Sequence, residues 1–437
     1  MTGAGSVRPV HVMAAGGVGM AAVAELLLAQ GHDVSGCDSA DSPRLRRLAS
    51  LGVKTCTGHS PDHLTGVGRL VVSSAIRPDN PELLAAQAQP GLVIQHRSVA
   101  LAGIAKAYRQ VVVTGTHGKT TTSAMIVSLL EAAGLEPSYA IGSELTGRGS
   151  GAKLRAGSIM VLEADESDAS FLNYRPEVAV VTNIEADHLD HYGDQAALTE
   201  AFRRFASLVV DPSVLIACAA DPPAAALAKW AEESGQAPLV WTYSDEQADR
   251  SPVSLPGRHM RLNAAAAALV GEWFGVDPEV ANRGLRQYAG TARRFESHGR
   301  PGGVTVLDDY AHHPTEIAAT IAAARQLDQP GRILVVFQPH LYSRTNQFQA
   351  EFAAALSQAD QVWLLDIYGA REEPVPGVTS ELIAKRMDPA VVTLVSQPET
   401  VPAAIRAAAR AGDIVFTMGA GDVTNLARPI VEALEQP

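Results

Sequence analysis

The stretch VVVTGTHGKTTT (residues 111–122) predicts a strand, a phosphate-binding loop and the start of a helix. Val111–Thr114 is β-branched, which is typical of a buried strand. Gly115 and Gly118 allow a close backbone approach. Backbone N–H groups in such a loop, together with the positive end of the following helix, favour phosphate. The strict pattern G-x-x-x-x-G-K-[ST] would need a glycine at Val113, so a chance glycine-rich turn is the alternative, but strand, loop and helix all agree with phosphate binding.

Two residues that follow the loop carry the chemistry of this motif. Lys119 is expected to contact the β- and γ-phosphates of a nucleoside triphosphate, and the Thr120 hydroxyl is expected to bind Mg²⁺. Apolar residues recur at helical spacing after them, and Gly134 ends the helix.

The amino-acid composition limits the classes of protein to which this chain can belong. The chain has 437 residues, of which 46% are hydrophobic and 19% charged, so it is a globular chain of two to four domains. A formal charge of −12 argues against non-specific binding to nucleic acid or to an anionic membrane. The three cysteines are scattered, which argues against a disulfide framework, and no CxxC pair suggests a zinc site. No signal peptide or transmembrane segment is recognisable, and a cytoplasmic location is expected.

Short β-branched runs alternate with Ala/Leu-rich helical stretches along the whole chain. This alternation predicts an α/β fold with parallel sheets. Three blocks are expected, at residues 1–106, 107–292 and 293–437. The polar segment 244–257 is predicted to be a loop.

Two predicted strands run into acidic segments, EADESDASF (163–171) and NIEADHLDHYGD (183–194). Ligands of open α/β sheets lie at the carboxyl ends of strands, so both segments are expected beside the phosphate loop. Mg²⁺ needs one or two protein carboxylates, and Glu163 and His188 are the leading candidates. Most of the other acids are expected to be solvated. The pentad DHLDH (187–191) also suggests zinc, but no cysteine accompanies it.

The N-terminal turn AAGGVG (14–19) matches G-x-G-x-x-G with alanine in the first place. Asp38 follows Gly16 by 22 residues, where an acid that binds ribose would fall. Taken alone, this pattern suggests a dinucleotide oxidoreductase, which leaves the second block unexplained. The firmer inference is a nucleotide diphosphate at a helix N-terminus.

The third block places polar side chains after two predicted strands. VLDDYAHHPTEI (306–317) and FQPHLYSRT (337–345) both open helices at strand ends, where a cleft is expected. Arginine is suited to binding carboxylates. Arg293 and Arg294 lie at the proposed joint between the second and third blocks, from where a cation could reach the γ-phosphate. The candidates within the two segments are Asp309, Tyr310, His312, His313, His340 and Arg344.

Six segments in this order resemble the Mur ligases: TGTHGKTTT, EADESDASF, VTNIEADHLDHYGD, ARRFE, DDYAHHPTE and FQPHLYSRT. The resemblance runs from the N-terminal glycine turn to GAGDV (419–423). It implies a Rossmann-like N-terminal domain that binds a UDP-sugar, a central P-loop ATPase domain, and a Rossmann-like C-terminal domain that binds an amino acid.

The resemblance also implies a reaction and its partners. Within the family, EADESDASF favours the members that join L-alanine to the lactyl carboxylate of UDP-N-acetylmuramate, through an acyl phosphate, for peptidoglycan synthesis. ATP is the co-substrate, Mg²⁺ the cofactor, and a monomer or weak homodimer is expected.

Residue roles carried over by motif fall into four groups. Lys119, Glu163, His188 and Arg294 are expected to be catalytic, and Thr120, Glu163 and His188 to bind the metal. The ATP-binding set is Gly115, Thr116, His117, Gly118, Lys119, Thr120, Thr121, His259, Asn263 and Asp309. The UDP-sugar set is Gly16, Gly17, Gly19, Asp38, Ser73 and Ser74. The amino-acid set is Tyr310, His312 and Arg344.

The chain departs from the family pattern at four places. Ala14 replaces the first glycine of the UDP turn, and Met260 replaces an asparagine expected to contact adenine. Leu341 stands where some members have arginine, which leaves Arg344 for carboxylate binding. Residues 244–257 replace a longer strand-rich stretch.

Two alternatives stay open. One is a sibling ligase, either the enzyme that recycles murein peptides or a later family member, although no lysine of the kind that becomes carbamylated in later members can be placed. The other is a nucleotide-binding regulator that has lost catalysis, which the four departures motivate.

Overall fold

The structure, a computed structural model, describes residues 8–187, 189–328, 331–370 and 372–436. The chain forms two compact units. One comprises residues up to Pro252 with Leu262–Ala289, and the other comprises Val253–Arg261 with the chain from Gly290 onward. The first unit contains two sheets and the second contains one, and helices connect parallel strands in all three. The predicted α/β class is confirmed.

The first sheet lies in the N-terminal part of the first unit. Its strands and helices are β1 (Val10–Met13), α1 (Val18–Ala29), β2 (Val34–Asp38), α2 (Pro43–Leu51), β3 (Lys54–Thr57), a 3₁₀ helix (Pro61–Leu64), β4 (Arg69–Val72), α3 (Pro81–Ala88), β5 (Val93–His96) and α4 (Arg97–Ala105). The strand order is β3-β2-β1-β4-β5, and all neighbours are parallel. The glycine turn therefore follows the central strand β1, as a nucleotide-binding turn requires.

The second sheet carries the phosphate loop. Its elements are β6 (Arg109–Thr114), α5 (Lys119–Ala132), β7 (Ser138–Ala140), β8 (Ala152–Lys153), β9 (Ile159–Glu163), a 3₁₀ helix (Ser170–Asn173), β10 (Val178–Val181), α6 (Leu189–Tyr192), α7 (Gln195–Ala206), β11 (Val214–Cys218), α8 (Pro222–Ser234), β12 (Val240–Tyr243), α9 (Asp245–Arg250), α10 (Arg258–Trp273) and α11 (Pro278–Arg286). The strand order is β12-β11-β10-β6-β9-β7-β8, in which only β8 is antiparallel to its neighbour. Strands β9 and β10 flank β6, so the two acidic segments begin on either side of the phosphate loop, as predicted.

The prediction of a loop over residues 244–257 is wrong in its first half. Helix α9 begins after Ser244, which forms a capping box with Gln247. The reciprocal bonds satisfy N–H groups that a short helix would otherwise leave unpaired, so a polar sequence forms a turn and a half of helix.

The third sheet belongs to the second unit. Its elements are β13 (Glu296–Gly299), a 3₁₀ helix (Pro301–Gly303), β14 (Thr305–Asp309), α12 (Pro314–Ala324), β15 (Ile333–Phe337), α13 (Tyr342–Gln347), α14 (Gln349–Leu356), β16 (Gln361–Leu365), α15 (Glu381–Ala384), β17 (Val392–Val395), a 3₁₀ helix (Pro398–Thr400), α16 (Val401–Ala408), β18 (Ile414–Met418), a 3₁₀ helix (Asp422–Leu426) and α17 (Ala427–Glu435). The strand order is β13-β14-β18-β15-β16-β17, with β13 antiparallel.

Polar contacts connect the two sheet-bearing parts of the first unit. Arg97 at the start of α4 lies 2.9 Å from Asp165, which follows β9. Asn173 Nδ2 donates to Ser98 Oγ over 2.9 Å. Among the described residues, no helix combines the length and the apolar character that a membrane span needs.

Candidate active site

The phosphate loop joins β6 to α5, as the sequence predicts, and its conformation requires glycine twice. Gly115 has φ +128° and Gly118 has φ +81°. A Cβ at Gly115 would lie 2.2 Å from Thr182 Oγ1, and one at Gly118 would lie 2.7 Å from Asn263 Oδ1. Both the backbone angle and the available space therefore exclude a side chain. The second contact places Asn263, a predicted ATP-binding residue, directly against the loop.

The segment after β10 fixes the loop in place, which the sequence analysis missed. Asn183 Oδ1 accepts from His117 N over 2.8 Å, and Asn183 Nδ2 donates to His117 O over 2.9 Å. Thr182 Oγ1 also donates to His117 O, over 2.6 Å. Thr116 Oγ1 accepts from Glu185 N over 2.8 Å. Asn183 lies within a segment whose acidic residues dominate the pattern. Its amide group, which can donate and accept at once, is the feature of the sequence that could have indicated this contact.

Lys119 is held by the loop and by a buried carboxylate. Its Nζ donates to Gly115 O over 2.6 Å and to Thr116 O over 3.1 Å. It also lies 2.8 Å from Glu166 Oε2, whose side chain is 1% exposed. Burial would lower the pKa of Lys119, but the carboxylates of Glu166 and Asp165 outweigh it and raise the pKa. Lys119 is therefore a fixed cation at the mouth of the loop.

Glu166 is a buried exception to the expectation that most of the remaining acids of EADESDASF are solvated. Burial raises the pKa of Glu166 to about 7, against the opposing effect of Lys119. Asp165 is the next carboxylate in the chain. Burial would raise its pKa, but Lys119 and Arg97 together lower it. Both residues are thus bound to cations, and the pattern of acids alone did not reveal which acids would be buried.

Thr120 and Glu163, two of the three predicted metal ligands, are brought together. Thr120 Oγ1 donates to Glu163 Oε1 over 3.0 Å, and Glu163 Oε2 accepts from Gly142 N over 2.6 Å. A hydroxyl and a carboxylate this close fit Mg²⁺, which takes oxygen ligands, keeps several waters and needs only one or two carboxylates. The third predicted ligand, His188, lies outside the described residues.

Two further loop residues were predicted to bind ATP. His117 Nε2 lies 2.8 Å from Glu185 Oε2. Thr121 is buried in the first turn of α5. His117 thus has an acidic neighbour beside the loop, whereas the Thr121 side chain packs into the fold.

The predicted UDP turn is held by the acid at the end of β2. Asp38 Oδ2 accepts from Gly16 N over 2.9 Å, and a Cβ at Gly16 would lie 2.7 Å from Ser42 Oγ. Gly17 caps α1 at its N-terminus without a side-chain bond. Ala14 has φ +54°. A non-glycine residue in this region costs roughly 1–2 kcal/mol, so the alanine that replaces the usual glycine strains the turn.

The other predicted UDP-binding residues lie near the same edge of the sheet. Ser73 and Ser74 follow β4, with Ser73 half-buried and Ser74 exposed. A Cβ at Gly19 would lie 2.7 Å from Arg97 Nη1. Arg97 therefore lies against the glycine turn and also pairs with Asp165, a role that its position in the sequence did not indicate.

In the second unit, β14 ends at Asp309, and Tyr310 follows it near the predicted catalytic arginine. Asp309 is buried and accepts from Phe295 N over 2.8 Å and Ala311 N over 2.9 Å. Burial raises the pKa of Asp309 to about 6. Arg293 and Arg294 lie over the Tyr310 ring, with the guanidinium carbons 4.9 and 5.1 Å from its centroid. The aromatic ring thus positions both cations.

Two histidines and an arginine complete the predictions for the second unit. His312 Nδ1 lies 2.9 Å from Tyr310 O, and burial lowers the pKa of His312 to about 3. Burial likewise lowers the pKa of His259 to about 4. Arg344 is 6% exposed on α13, which Leu341 precedes with φ +71°. His312 and His259 are therefore neutral at pH 7.

Three family models cover most of the chain: Mur ligase family, catalytic domain, over residues 9–109; Mur ligase middle domain, over 113–253; and Mur ligase, glutamate ligase domain, over 293–421. A UDP-N-acetylmuramate–L-alanine ligase of Paenarthrobacter aurescens (strain TC1) is 46% identical over 99% of both chains. That of Thermobifida fusca (strain YX) is 46% identical over 97% of this chain and 96% of its own.

Solved structures of ligases also match this chain over nearly its whole length. The UDP-N-acetylmuramate–alanine ligase of Thermotoga maritima matches with a TM-score of 0.81 and 25% identity, over 97% of this chain and 98% of its own. A murein peptide ligase of Psychrobacter arcticus shares the fold, with a TM-score of 0.70, 24% identity, and coverage of 98% of this chain and 99% of its own. The motifs, the phosphate loop and the end-to-end similarity lead to one conclusion: the chain belongs to the Mur ligase family.

Proposed function

We propose that this protein joins L-alanine to the lactyl carboxylate of UDP-N-acetylmuramate, at the expense of ATP, in peptidoglycan precursor synthesis. One observation carries the proposal: a chain with an intact phosphate loop aligns end to end with ligases named for this reaction. The same proposal includes three domains, with boundaries near residues 106 and 292. It also includes a cytoplasmic location, where ATP is available.

The reaction has two steps. A lactyl carboxylate oxygen attacks the γ-phosphorus of ATP, the bond to the β-phosphate oxygen breaks, and ADP leaves. The amine of alanine then attacks the acyl carbon, loses a proton, and phosphate leaves as the amide forms. Phosphorylation supplies the leaving group that a carboxylate lacks.

The residues of the first unit bind and orient the nucleotide in this proposal. The glycines of the loop let its backbone approach the phosphates, and Lys119 neutralises negative charge that grows where two anions meet. Thr120 and Glu163 would hold Mg²⁺, and His188 is the third ligand that the sequence predicts. The metal supplies further charge neutralisation on the phosphate oxygens when bound. Asn263, which lies against Gly118, serves the adenosine side.

The second unit is proposed to serve the amino acid and the rest of the nucleotide. Arg344 suits the alanine carboxylate, with Tyr310 and the neutral His312 nearby in sequence. His259 and Asp309 are proposed for the adenine and the ribose. Arg294 is proposed to neutralise phosphate charge during the transfer.

Phosphate release tests the proposal directly. The purified chain is incubated with ATP, Mg²⁺ and UDP-N-acetylmuramate, and L-alanine, glycine, L-serine or a murein tripeptide is added in turn. Release that depends on both the sugar nucleotide and L-alanine supports the proposal. Release only with the tripeptide would indicate the recycling reaction, and ATP binding without release under any condition would indicate a regulator.

A further inference from the structure

A cluster of nitrogen, sulfur and oxygen donors lies in the core of the first sheet, apart from the phosphate loop. His11 on β1, Cys37 on β2, His63 on the 3₁₀ helix and Glu82 on α3 place one donor atom each within 4.8 Å of one another. His11, Cys37 and Glu82 are at most 1% exposed. Ionisable residues are seldom this deeply buried, and four elements converge to bring them together.

The spacing of the donors fits a tetrahedral ion. His11 Nε2 lies 3.4 Å from Cys37 Sγ and 2.9 Å from Glu82 Oε1, and His63 Nδ1 lies 3.4 Å from Glu82 Oε1. Ligands of a tetrahedral zinc ion, each about 2.0–2.3 Å from the metal, lie about 3.3–3.8 Å from one another. Two of these three separations fall within that range, whereas the separation of His11 Nε2 from Glu82 Oε1 is shorter than a bound metal would impose.

Hydrogen bonds satisfy part of the cluster but not all of it. Glu82 Oε1 lies 2.9 Å from His11 Nε2, and Glu82 Oε2 accepts from Cys37 Sγ over 3.2 Å. Within the described part of the chain, His63 Nδ1 is a buried atom with no hydrogen-bond partner, although it lies 3.4 Å from Glu82 Oε1. A buried polar atom without a partner costs free energy, and a cation between His63 Nδ1 and the other donors would satisfy it.

A second layer of contacts orients the donors. His11 Nδ1 lies 2.8 Å from Ser35 Oγ, which leaves Nε2 directed at the cluster. His59 Nδ1 lies 3.3 Å from both Cys37 Sγ and Glu82 Oε2. Outer bonds to the second ring nitrogen are the usual way in which proteins fix a histidine ligand. Four buried apolar residues form one hydrophobic cluster with Cys37: Met13, Leu64, Leu70 and Ala86.

We propose that His11, Cys37, His63 and Glu82 form a structural site for a divalent transition-metal ion of the zinc class. Mixed imidazole and thiolate donors favour zinc over Mg²⁺, which prefers oxygen. Four protein ligands leave no open position, as in structural rather than catalytic zinc sites. The ion would fix β1, β2, the 3₁₀ helix and α3 together, and with them Asp38, the residue after Cys37.

Metal analysis of the full-length protein tests the site. After exposure to Zn²⁺ and gel filtration without nucleotide, we expect about one zinc ion per chain. The Co²⁺-loaded protein should show the strong visible bands of a tetrahedral site and a thiolate-to-cobalt charge-transfer band. Removal of the ion with a chelator should lower the melting temperature.

Variants locate the ion. Cys37→Ser should remove the charge-transfer band and weaken zinc binding at least about tenfold. Cys56→Ser, an exposed cysteine on the neighbouring strand, is the matched control and should keep both. His63→Asn, in which a less buried ligand is changed, serves if Cys37→Ser does not fold. Glu163→Gln should retain the zinc, because it changes the phosphate-loop site.

Two outcomes would overturn the inference. One is a chain that takes up no zinc and gives no cobalt bands, in which case the cluster is a metal-free polar network. The other is zinc that is lost in Glu163→Gln but kept in Cys37→Ser and His63→Asn, which would place the ion at the phosphate loop.

Discussion

Lys119 Nζ lies 2.8 Å from Glu166 Oε2 at the mouth of the phosphate loop, where Glu166 is buried and Lys119 half-buried. The lysine of the loop thus has a carboxylate partner within the protein. A phosphate must compete with the carboxylate of Glu166 for the cation, or share it. The pair keeps Lys119 aimed at the loop, where the carbonyl groups of Gly115 and Thr116 also hold it.

The first prediction concerns this lysine. Lys119→Ala should lower turnover at least about a hundredfold, because a charge contact that strengthens in the transition state is lost. Steady-state phosphate release measures the effect. Lys229→Ala, which removes an exposed lysine on α8, is the control and should be unchanged. Near-normal turnover of Lys119→Ala would remove the assignment of the loop.

A second prediction separates the two reasons why the loop needs glycine, which are the positive φ and the lack of space for a Cβ atom. Gly115→Ala should abolish measurable ATP binding, because its Cβ would lie 2.2 Å from Thr182 Oγ1 and 2.8 Å from Asn183 O. Gly134→Ala is the matched control: Gly134 also has a positive φ of +73°, but no atom lies within 4 Å of its Cβ. It should lose about 1 kcal/mol of stability and keep its affinity. Calorimetric titration with ATP distinguishes the two variants, and equal affinities would contradict the prediction.

The third prediction concerns Arg97, which lies against Gly19 and pairs with Asp165. Arg97→Ala should raise the KM for UDP-N-acetylmuramate about tenfold, the usual scale for one charge-assisted hydrogen bond. Steady-state kinetics with ATP saturating measure it, and Arg250→Ala, which removes an exposed arginine on α9, is the control. A lower melting temperature with an unchanged KM would show that Arg97 is only structural.

A fourth prediction follows from the neutral His312. Its pKa is lowered to about 3, mainly by burial, from an ordinary value of 6.5. Between these two pKa values, His312 binds a proton in the unfolded chain but not in the folded chain. The stability that depends on neutral His312 is therefore complete above pH 6.5 and declines as the pH falls towards 3. Between pH 7 and pH 5, the free energy of unfolding should fall by up to about 2 kcal/mol more in the wild type than in His312→Gln.

Urea denaturation of the wild type and the variant at both pH values measures this difference. His298→Gln changes an exposed histidine on β13 and should follow the wild type. Parallel pH profiles for the wild type and His312→Gln would show that burial does not control the protonation of His312.

Local patterns predicted the elements around the phosphate loop well. The run Val111–Thr114, the two glycines and the helix after Lys119 depend on sequence neighbours, and the structure confirms them. The prediction of a loop over residues 244–257 was wrong in its first half, because Ser244 and Gln247 form a capping box in a polar segment. That reciprocal contact was readable from the sequence, but a count of polar residues obscured it.

Contacts between distant parts of the chain were not predictable in the same way. Glu166 is one acid among several in its segment, and only packing determines that it is buried beside Lys119. His11, Cys37 and Glu82 are separated by dozens of residues and share no spacing motif, so the sequence gives no sign that the fold brings them together.

The contacts of α4 bear on how such chains can recombine during evolution. Arg97 and Ser98 belong to the N-terminal part, whereas their partners Asp165 and Asn173 belong to the part that carries the phosphate loop. A chimera that takes one part from a relative without these residues would keep only half of each pair. It would leave the Asp165 carboxylate without Arg97, the second of its two cationic neighbours. We therefore expect exchanged parts to fit best when both sides of the joint are transferred together.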